Sequence, residues 1–440
     1  MTKKISINSH IKQVTRTKKN KSISIKVRGS KKSKKPKKAL FQNFFEGLKV
    51  EVGQEVKTIK TKVTGKLNQE KINQILQDYD KTNITIGVLG GHSALDVCRG
   101  AKKLGFRTLA VCKKGRDKTY SKYYKTRGNK GIIDEVIIVD DFKDIVNKDV
   151  QEQLRELNTI FIHNRYFWVY CNFKDIEEKF MVPIFGTRTM LKLEERDVPN
   201  NQYYIMKKAG IRIPKIFSSP QKIDRLAIVK VAEAARGYER AFFFCNDYQS
   251  YKAKSQDMIK KKIITQAALK IAVIEEYIVG AQVNFNYFYS PLTGELELMG
   301  TDARRQTNLD GLLRLPADVQ LEVLKYLQPK LIETGHFAVT TKESIIEKIY
   351  DLGEKFVETS KQVHQPGIIG PFALQGAIAS EEGKEEPVIF DVSMRIPGSP
   401  GTRFTPHTGY LYIDSISYGE RIAMEIKKAI EDNKLELICT

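Results

Sequence analysis

No stretch of eighteen consecutive apolar residues occurs in the 440-residue chain, so no transmembrane helix is expected. The amino terminus has no apolar segment of the secretory kind. Cysteine is scarce. Cys98, Cys112, Cys171, Cys245 and Cys439 are scattered, and none belongs to a CxxC pair. That spacing predicts no metal cluster and suits a reducing, cytoplasmic setting. A GxGxxG fingerprint is missing, and so is any internal repeat. Acidic residues are absent from positions 1–40, which hold 15 Lys or Arg. This block supplies 15 of the +22 net charge and leaves +7 for the other 400 residues. Most of the basicity therefore belongs to one end of the chain.

What remains is the composition of a soluble protein, 41% apolar and 29% charged, with length enough for two or three domains. Residues 1–38 are rich in Lys, Ser and Thr and end in KKSKKPKK. They cannot bury enough apolar surface to offset their ordering entropy, so they are predicted to be disordered. A polycation releases counterions from nucleic acid. Weak, salt-sensitive contact with RNA or DNA through residues 1–40 is one reading; a solubilising extension without a partner is the other.

From Leu67 onward, structural periodicity is plain. Leu67, Ile72, Ile75, Leu76 and Tyr79 recur at helical spacing. Strands are expected over residues 83–89, 108–112, 136–139 and 159–162, with a helix from Ser93 to Gly105 after the first. Strands alternating with helices predict a parallel sheet with crossovers. The turn Gly90, Gly91, His92, Ser93 is a candidate anion site, because free N–H groups and the helix dipole favour phosphate there. A turn that merely packs would read the same. Further on, a strand over 226–231 carries Lys230, a small-residue turn follows, and a strand over 241–245 returns. Such a flap can close over a triphosphate, although an ordinary hairpin with an outward Lys is also compatible. Strands are expected over 271–279, interrupted by Glu275 and Glu276, and over 282–289. Helices are expected at about 200–210, 318–333, 342–364 and 418–432.

The segment from Pro366 to Arg403 reads as two apolar strands joined by a charged, Gly-containing turn. Gln375 lies on the first strand, and Asp391 follows the apolar run Val388, Ile389, Phe390 on the second. A buried carboxylate is costly unless paired or bound to metal. Arg395 and the loop Gly398, Ser399, Pro400, Gly401 follow. Oxygen ligands, an Arg and a tight loop suit a Mg-nucleotide phosphate site. A surface hairpin with one strand-end Asp is the plainer alternative.

Several phrases then coincide with one family: GGHSALDVCRGAKKLGFRT, VPIFGTRTMLKLEERD, the segment from Val229 to Tyr238, EEYIVG, TDARRQTNLDGLLRLPA, TKESIIEK, GPFALQG, FDVSMRIPGSPGT and SYGERIAMEIKKAIE. In these, and over about residues 66–440, the chain resembles the archaeal FAICAR synthetases (PurP). These are ATP-grasp ligases that formylate AICAR with formate and ATP in purine biosynthesis. The resemblance implies a mixed α/β and α+β architecture: a basic extension over 1–65, an N-terminal parallel α/β substrate-binding domain over 66–190, and an ATP-grasp domain over 191–440. It implies ATP and Mg2+ (or Mn2+) as cofactors, and a homo-oligomer, a hexamer by analogy. It places His92, Ser93, Arg165 and His336 at the substrate, and Lys230, Arg236, Gly237, Glu276 and Gln306 at ATP. It gives Arg304 and Arg395 to catalysis, and Gln375 and Asp391 to the metal. The chain departs from the family pattern at several of these positions. Ala234 and Ala235 replace Gly-Gly and stiffen the flap. His163, Asn164, Arg165 replaces an HGS-like loop, and Gln306 stands for a Glu. Gln375 also stands for a Glu, which removes a charge from the metal position and predicts weaker metal binding. A diverged paralogue with altered substrate or reduced catalysis is the alternative reading.

Overall fold

The computed structural model describes residues 68–440, apart from 197, 232–240, 328, 330, 331 and 382, together with two short strands nearer the amino terminus. The chain divides into two units, Met1–Lys57 and Thr58–Thr440. In the first, β1 (Val14–Thr15) pairs antiparallel with β2 (Ser24–Ile25). The rest of the segment expected to be disordered lies outside the described residues.

In the second unit, apolar runs build a five-stranded parallel sheet from β3 (Thr85–Leu89), β4 (Arg107–Lys113), β5 (Glu135–Val139), β6 (Thr159–Ile162) and β7 (Ile184–Phe185). All of β3 and β6 is buried, as expected for strands covered on both faces. The order is β5-β4-β3-β6-β7. Winding therefore reverses between β3 and β6, and open α/β sheets form their binding crevice beyond the carboxyl ends at such a reversal. The helix Ala94–Lys103 crosses the helix Tyr418–Glu431 at two glycines. A Cβ on Gly100 would lie 2.0 Å from the Gly419 carbonyl carbon, and one on Gly419 would lie 1.9 Å from the Asp96 oxygen. Only glycine allows backbones this close. The carboxyl terminus also closes on β7, where the Ile184 amide donates to the Thr440 carbonyl at 2.9 Å.

A second sheet is antiparallel: β11 (Ala281–Tyr289), β12 (Leu296–Gln306), β13 (Glu333–Val339), β14 (Gly370–Glu381) and β15 (Lys384–Ser393), ordered β13-β12-β11-β14-β15. Its two faces are set by the period of two. Val283, Phe285, Tyr287 and Tyr289 join a core with Phe356 of the helix Ile346–Val363 and Met206 of the helix Gln202–Lys208. The intervening Asn284 and Asn286 face the other way. A third, three-stranded sheet has β8 (Ala227–Lys230) between β9 (Phe242–Cys245) and β10 (Val273–Glu276).

One expected helix is shorter than its pattern suggested. It spans Ala317–Val323, and the edge strand β13 takes over from Glu333. Phe337 and the β-branched Thr334 and Val339 favour extension there. No helix among the described residues is long and apolar enough to cross a membrane.

Candidate functional site

Three elements converge on one cleft. The first is the pair of loops at the carboxyl ends of β3 and β6. Asn164 ties them together: its Nδ2 donates to the carbonyls of Leu89 (3.0 Å) and His92 (3.2 Å). A Cβ on Gly91 would meet the Tyr166 ring at 2.0 Å, so glycine lets the β3 turn seat against the β6 loop. The second is the polar face of the antiparallel sheet. Asp302, Asn284, Gln375 and Asp391 are successive cross-strand partners over β12, β11, β14 and β15. The third is Lys230, at the end of β8.

A bulge sets the geometry of β15. Gln375 opposes Asp391 and Gly376 opposes Ile389, so Phe390 is the extra residue. Its carbonyl accepts from Lys230 Nζ at 3.2 Å. The loop after β15 docks onto the β3 turn. Ser93 Oγ donates to the Pro397 carbonyl at 2.8 Å, and His92 lies so close that a Cβ on Gly398 would be 2.5 Å from its Nε2. Thus the loop bearing Arg395 and the turn bearing His92 hold one another in place.

Cations in the cleft face carboxylates. Lys230 pairs with the buried Glu275, which also accepts from the Tyr203 hydroxyl at 2.8 Å. Arg395 Nη2 lies 3.6 Å from Glu194, Arg196 Nη2 3.8 Å from Asp391, and Arg304 Nε 3.6 Å from Glu333. Arg304 also donates to Gln375 Oε1, while Gln375 Nε2 donates to Ser393 Oγ at 2.8 Å. Burial pulls the Lys230 pKa down against the opposing pull of Glu275, and burial raises that of Glu194 against Arg395. A polyanion entering this cleft would find cations already aimed inward and held by exchangeable partners.

The two histidines differ in charge. Burial, helped by Arg395, pushes His92 down to about 3, so it is a neutral imidazole. For His336, burial works the same way, but hydrogen bonds to Asp302 and Glu333 outweigh it and carry the pKa up to about 9. His336 is thus a half-buried cation between two carboxylates. Because its folded pKa lies above the unfolded value, its contribution to stability is complete below about 6.5 and is lost as pH rises through about 9. We expect thermal stability to decline over that window, and His336→Gln to flatten the decline. A His336 imidazole titrating near 6.5 by NMR would contradict this.

Of the residues singled out from sequence, His92, Arg165, Lys230, Arg304, His336, Gln375, Asp391 and Arg395 line the cleft. Ser93 does not; its hydroxyl is committed to Pro397. Glu276 points the other way along β10, accepting from the Lys215 amide at 3.2 Å and pairing with Arg225. Its neighbour Glu275 is the one turned towards Lys230, since adjacent strand residues face opposite sides. Gln306 ends β12 outside the lining, and its backbone N–H donates to the Asp310 carboxylate. Arg236 and Gly237, with Ala234 and Ala235, lie outside the described residues.

Sequence reading gave no role to Glu194, Glu195, Arg196 or Trp168, all in the lining. The first three stand in the phrase LEERD, and Trp168 is the sole tryptophan of the chain. Asn284 and Asn286 were detectable as polar residues two apart in an otherwise apolar strand. They donate to the two oxygens of Asp302 at 2.8 and 2.6 Å.

No group of three or more His, Cys, Asp or Glu among the described residues is arranged to hold a metal. Gln375 and Asp391 present two side-chain oxygens from adjacent strands, one neutral and one charged. That donor set fits a hard cation that takes its remaining ligands from substrate phosphates and water.

Two family models match the chain, a protein of unknown function (DUF1246) over residues 86–217 and a domain of unknown function (DUF1297) over residues 250–440. The chain is similar to the 5-formaminoimidazole-4-carboxamide-1-(beta)-D-ribofuranosyl 5'-monophosphate synthetase of Methanosphaera stadtmanae, 40% identical over 86% of this chain and 100% of that protein. The protein of the same name from Methanopyrus kandleri is 37% identical over 85% of this chain and 100% of its own length. Among solved structures, an IMP biosynthesis protein PurP from Thermococcus kodakaraensis superposes with a TM-score of 0.59 at 26% identity, covering 81% of this chain and 100% of that one. The biotin carboxylase domain of Hydrogenobacter thermophilus 2-oxoglutarate carboxylase shares the fold, with a TM-score of 0.51 at 14% identity over 77% of this chain and 69% of that one.

Proposed function

Because the chain belongs to the FAICAR synthetase family of ATP-grasp ligases, we propose that it formylates AICAR to FAICAR with formate and ATP, a step of IMP biosynthesis. The observation that carries this reading is the single cleft in which the β3 and β6 turns, the polar sheet face and Lys230 meet. Formate oxygen attacks the γ-phosphorus, ADP leaves, the AICAR amine attacks the formyl carbon, and phosphate leaves. Such chemistry asks the protein mainly to position anions and balance charge. Lys230, released from Glu275, holds nucleotide phosphates. Arg304 and Arg395 neutralise charge that develops on the transferred groups. His92, Arg165 and His336 bind the substrate, and Ser93 positions the loop carrying Arg395. Asp391 and the Gln375 oxygen would hold Mg2+ or Mn2+, which neutralises phosphate charge when bound.

The test is purified protein with AICAR, formate and MgATP. We expect FAICAR and formate-dependent ADP release in equal amounts. Trp168 gives a second readout, since the only tryptophan lines the cleft and its fluorescence should change as AICAR binds. A fluorescence change without product would mean a binding protein of altered chemistry; the absence of both signals would overturn the proposal. The same reading includes a homo-oligomer. Leu321 (68%), Tyr326 (83%) and Ile413 (92%) are unusually exposed for apolar side chains and suit a second copy. Sedimentation of a monomer at micromolar concentration would exclude it.

A further inference from the structure

Residues 41–440 carry a net +7, and the 18 residues from Lys113 to Lys130 alone contain eight Lys or Arg against Asp117, again +7. The rest of that region is neutral, so this segment is the source of its charge. It follows β4 and lies outside the cleft lining. It is a built surface. Tyr120 is buried beneath it, Lys125 and Ile133 form a bridge, and Thr126 Oγ1 donates to Asp134 at 2.8 Å. Arg116 is held by the hydroxyls of Tyr166 (2.8 Å) and Tyr170 (3.3 Å), and Lys113 pairs with Asp141. Lys114, Lys118, Lys122, Arg127 and Lys130 remain exposed. Two aromatic rings stand among them: Tyr123 is 61% and Tyr124 48% exposed, with Lys122 Nζ 5.6 Å from the Tyr123 centroid.

Charge alone would suit any anion. Exposed rings interleaved with cations suit a strand of bases, which stack on the rings while phosphates meet the lysines. We infer that Lys114–Lys130 is a docking surface for single-stranded RNA, distinct from the catalytic cleft. It needs no sequence preference, because every base offers a π-face.

The experiment uses the full chain and a fluorescein-labelled single-stranded RNA of about 15 nucleotides, read by anisotropy between about 50 and 200 mM salt. Two variants are compared with the parent, Lys118→Glu/Lys122→Glu/Lys130→Glu and Tyr123→Ala/Tyr124→Ala. The charge reversal should weaken binding at least tenfold and lower the log–log salt slope by about 2, for three lost phosphate contacts. The tyrosine variant should weaken binding about tenfold with the slope unchanged. FAICAR formation by both variants should equal that of the parent. Because residues 1–40 are intact in every protein, unchanged affinity and slope in both variants would place binding elsewhere and overturn the inference. A parent that does not bind at 50 mM salt would also overturn it. So would a charge-reversed variant that loses kcat/KM for AICAR while keeping its RNA affinity, which would make the segment a substrate-steering surface.

Discussion

Asp391→Asn is expected to reduce ATP-dependent turnover on the order of 10³-fold while the protein remains folded. Asn keeps the shape of the side chain and deletes its charge. Asp391 is only 5% exposed, and it is the sole carboxylate of the Gln375–Asp391 cross-strand pair. With the neutral amide of Gln375 beside it, no second charge is available at this pair to compensate. The complementary change should act in the opposite direction. Gln375→Glu places a carboxylate next to Arg304, which already donates to that oxygen, and opposite Ser393, whose hydroxyl can turn to donate. The added charge is therefore partly neutralised from the start. Metal-dependent ATP binding should tighten about tenfold, because a hard cation gains an anionic ligand. Formate-dependent ADP release measures Asp391→Asn, and isothermal titration of ATP at several Mg2+ concentrations measures Gln375→Glu. If Gln375→Glu left the Mg2+ dependence unaltered, the amide would not be what limits cation affinity. If Asp391→Asn retained full turnover, the assignment of this strand pair to the phosphate site would fall.

The site was partly legible in the chain itself because β-structure writes its faces with a period of two. Gln375 and Asp391 were visible as polar residues at strand positions, and the cleft does bring them together. Their neighbours Asp302 and Asn284 extend the same row, yet nothing local in sequence announces cross-strand register over four strands. Glu275 and Glu276 show the same limit at a finer scale. Two adjacent acids on one strand must face opposite sides, but which faces inward depends on the pairing with β8, where Glu275 opposes Ile228 and Glu276 opposes Ala227. The parallel sheet was easier, since β3 to β6 are continuous apolar runs separated by helical patterns. Edge strand β13 was harder. Its residues are half-buried or exposed, so it lacks an apolar signature, and the helical patterns expected over 318–333 and 342–364 leave it between them without an assignment. The mutual grip of Ser93, His92 and the Pro397–Gly398 loop joins residues some 300 positions apart, a contact that no local pattern encodes.

Arg421→Met should have the largest effect on stability, about 3–5 kcal/mol, because it removes the cation from a buried network and leaves two carboxylates behind. Arg421 is 5% exposed. Its guanidinium forks onto Glu297 at 2.8 and 2.7 Å and reaches Glu425 at 2.8 Å. Its remaining face lies 4.1 Å from the Phe288 ring centroid. Glu297 also accepts from the Tyr412 hydroxyl at 2.7 Å, and Glu425 from Ser290 Oγ at 2.6 Å, so the acids are fixed from both sides. The network fastens the carboxyl-terminal helix Tyr418–Glu431 to β11 and β12, whose other ends carry Asn284, Asp302 and Arg304 into the cleft. Met preserves much of the volume, so the cost is electrostatic and not a cavity. Arg421→Lys should fall between parent and Met, since Lys keeps the charge but not the fork. A melting temperature lowered by about 5 °C for Met is the expected reading by circular dichroism, since a chain of this length has a large unfolding entropy. At temperatures where the variant is folded, KM for AICAR should match the parent, because Arg421 lies outside the cleft lining. A shift of less than about 1 kcal/mol would mean that water reaches Glu297 and Glu425 and that the network is not sealed.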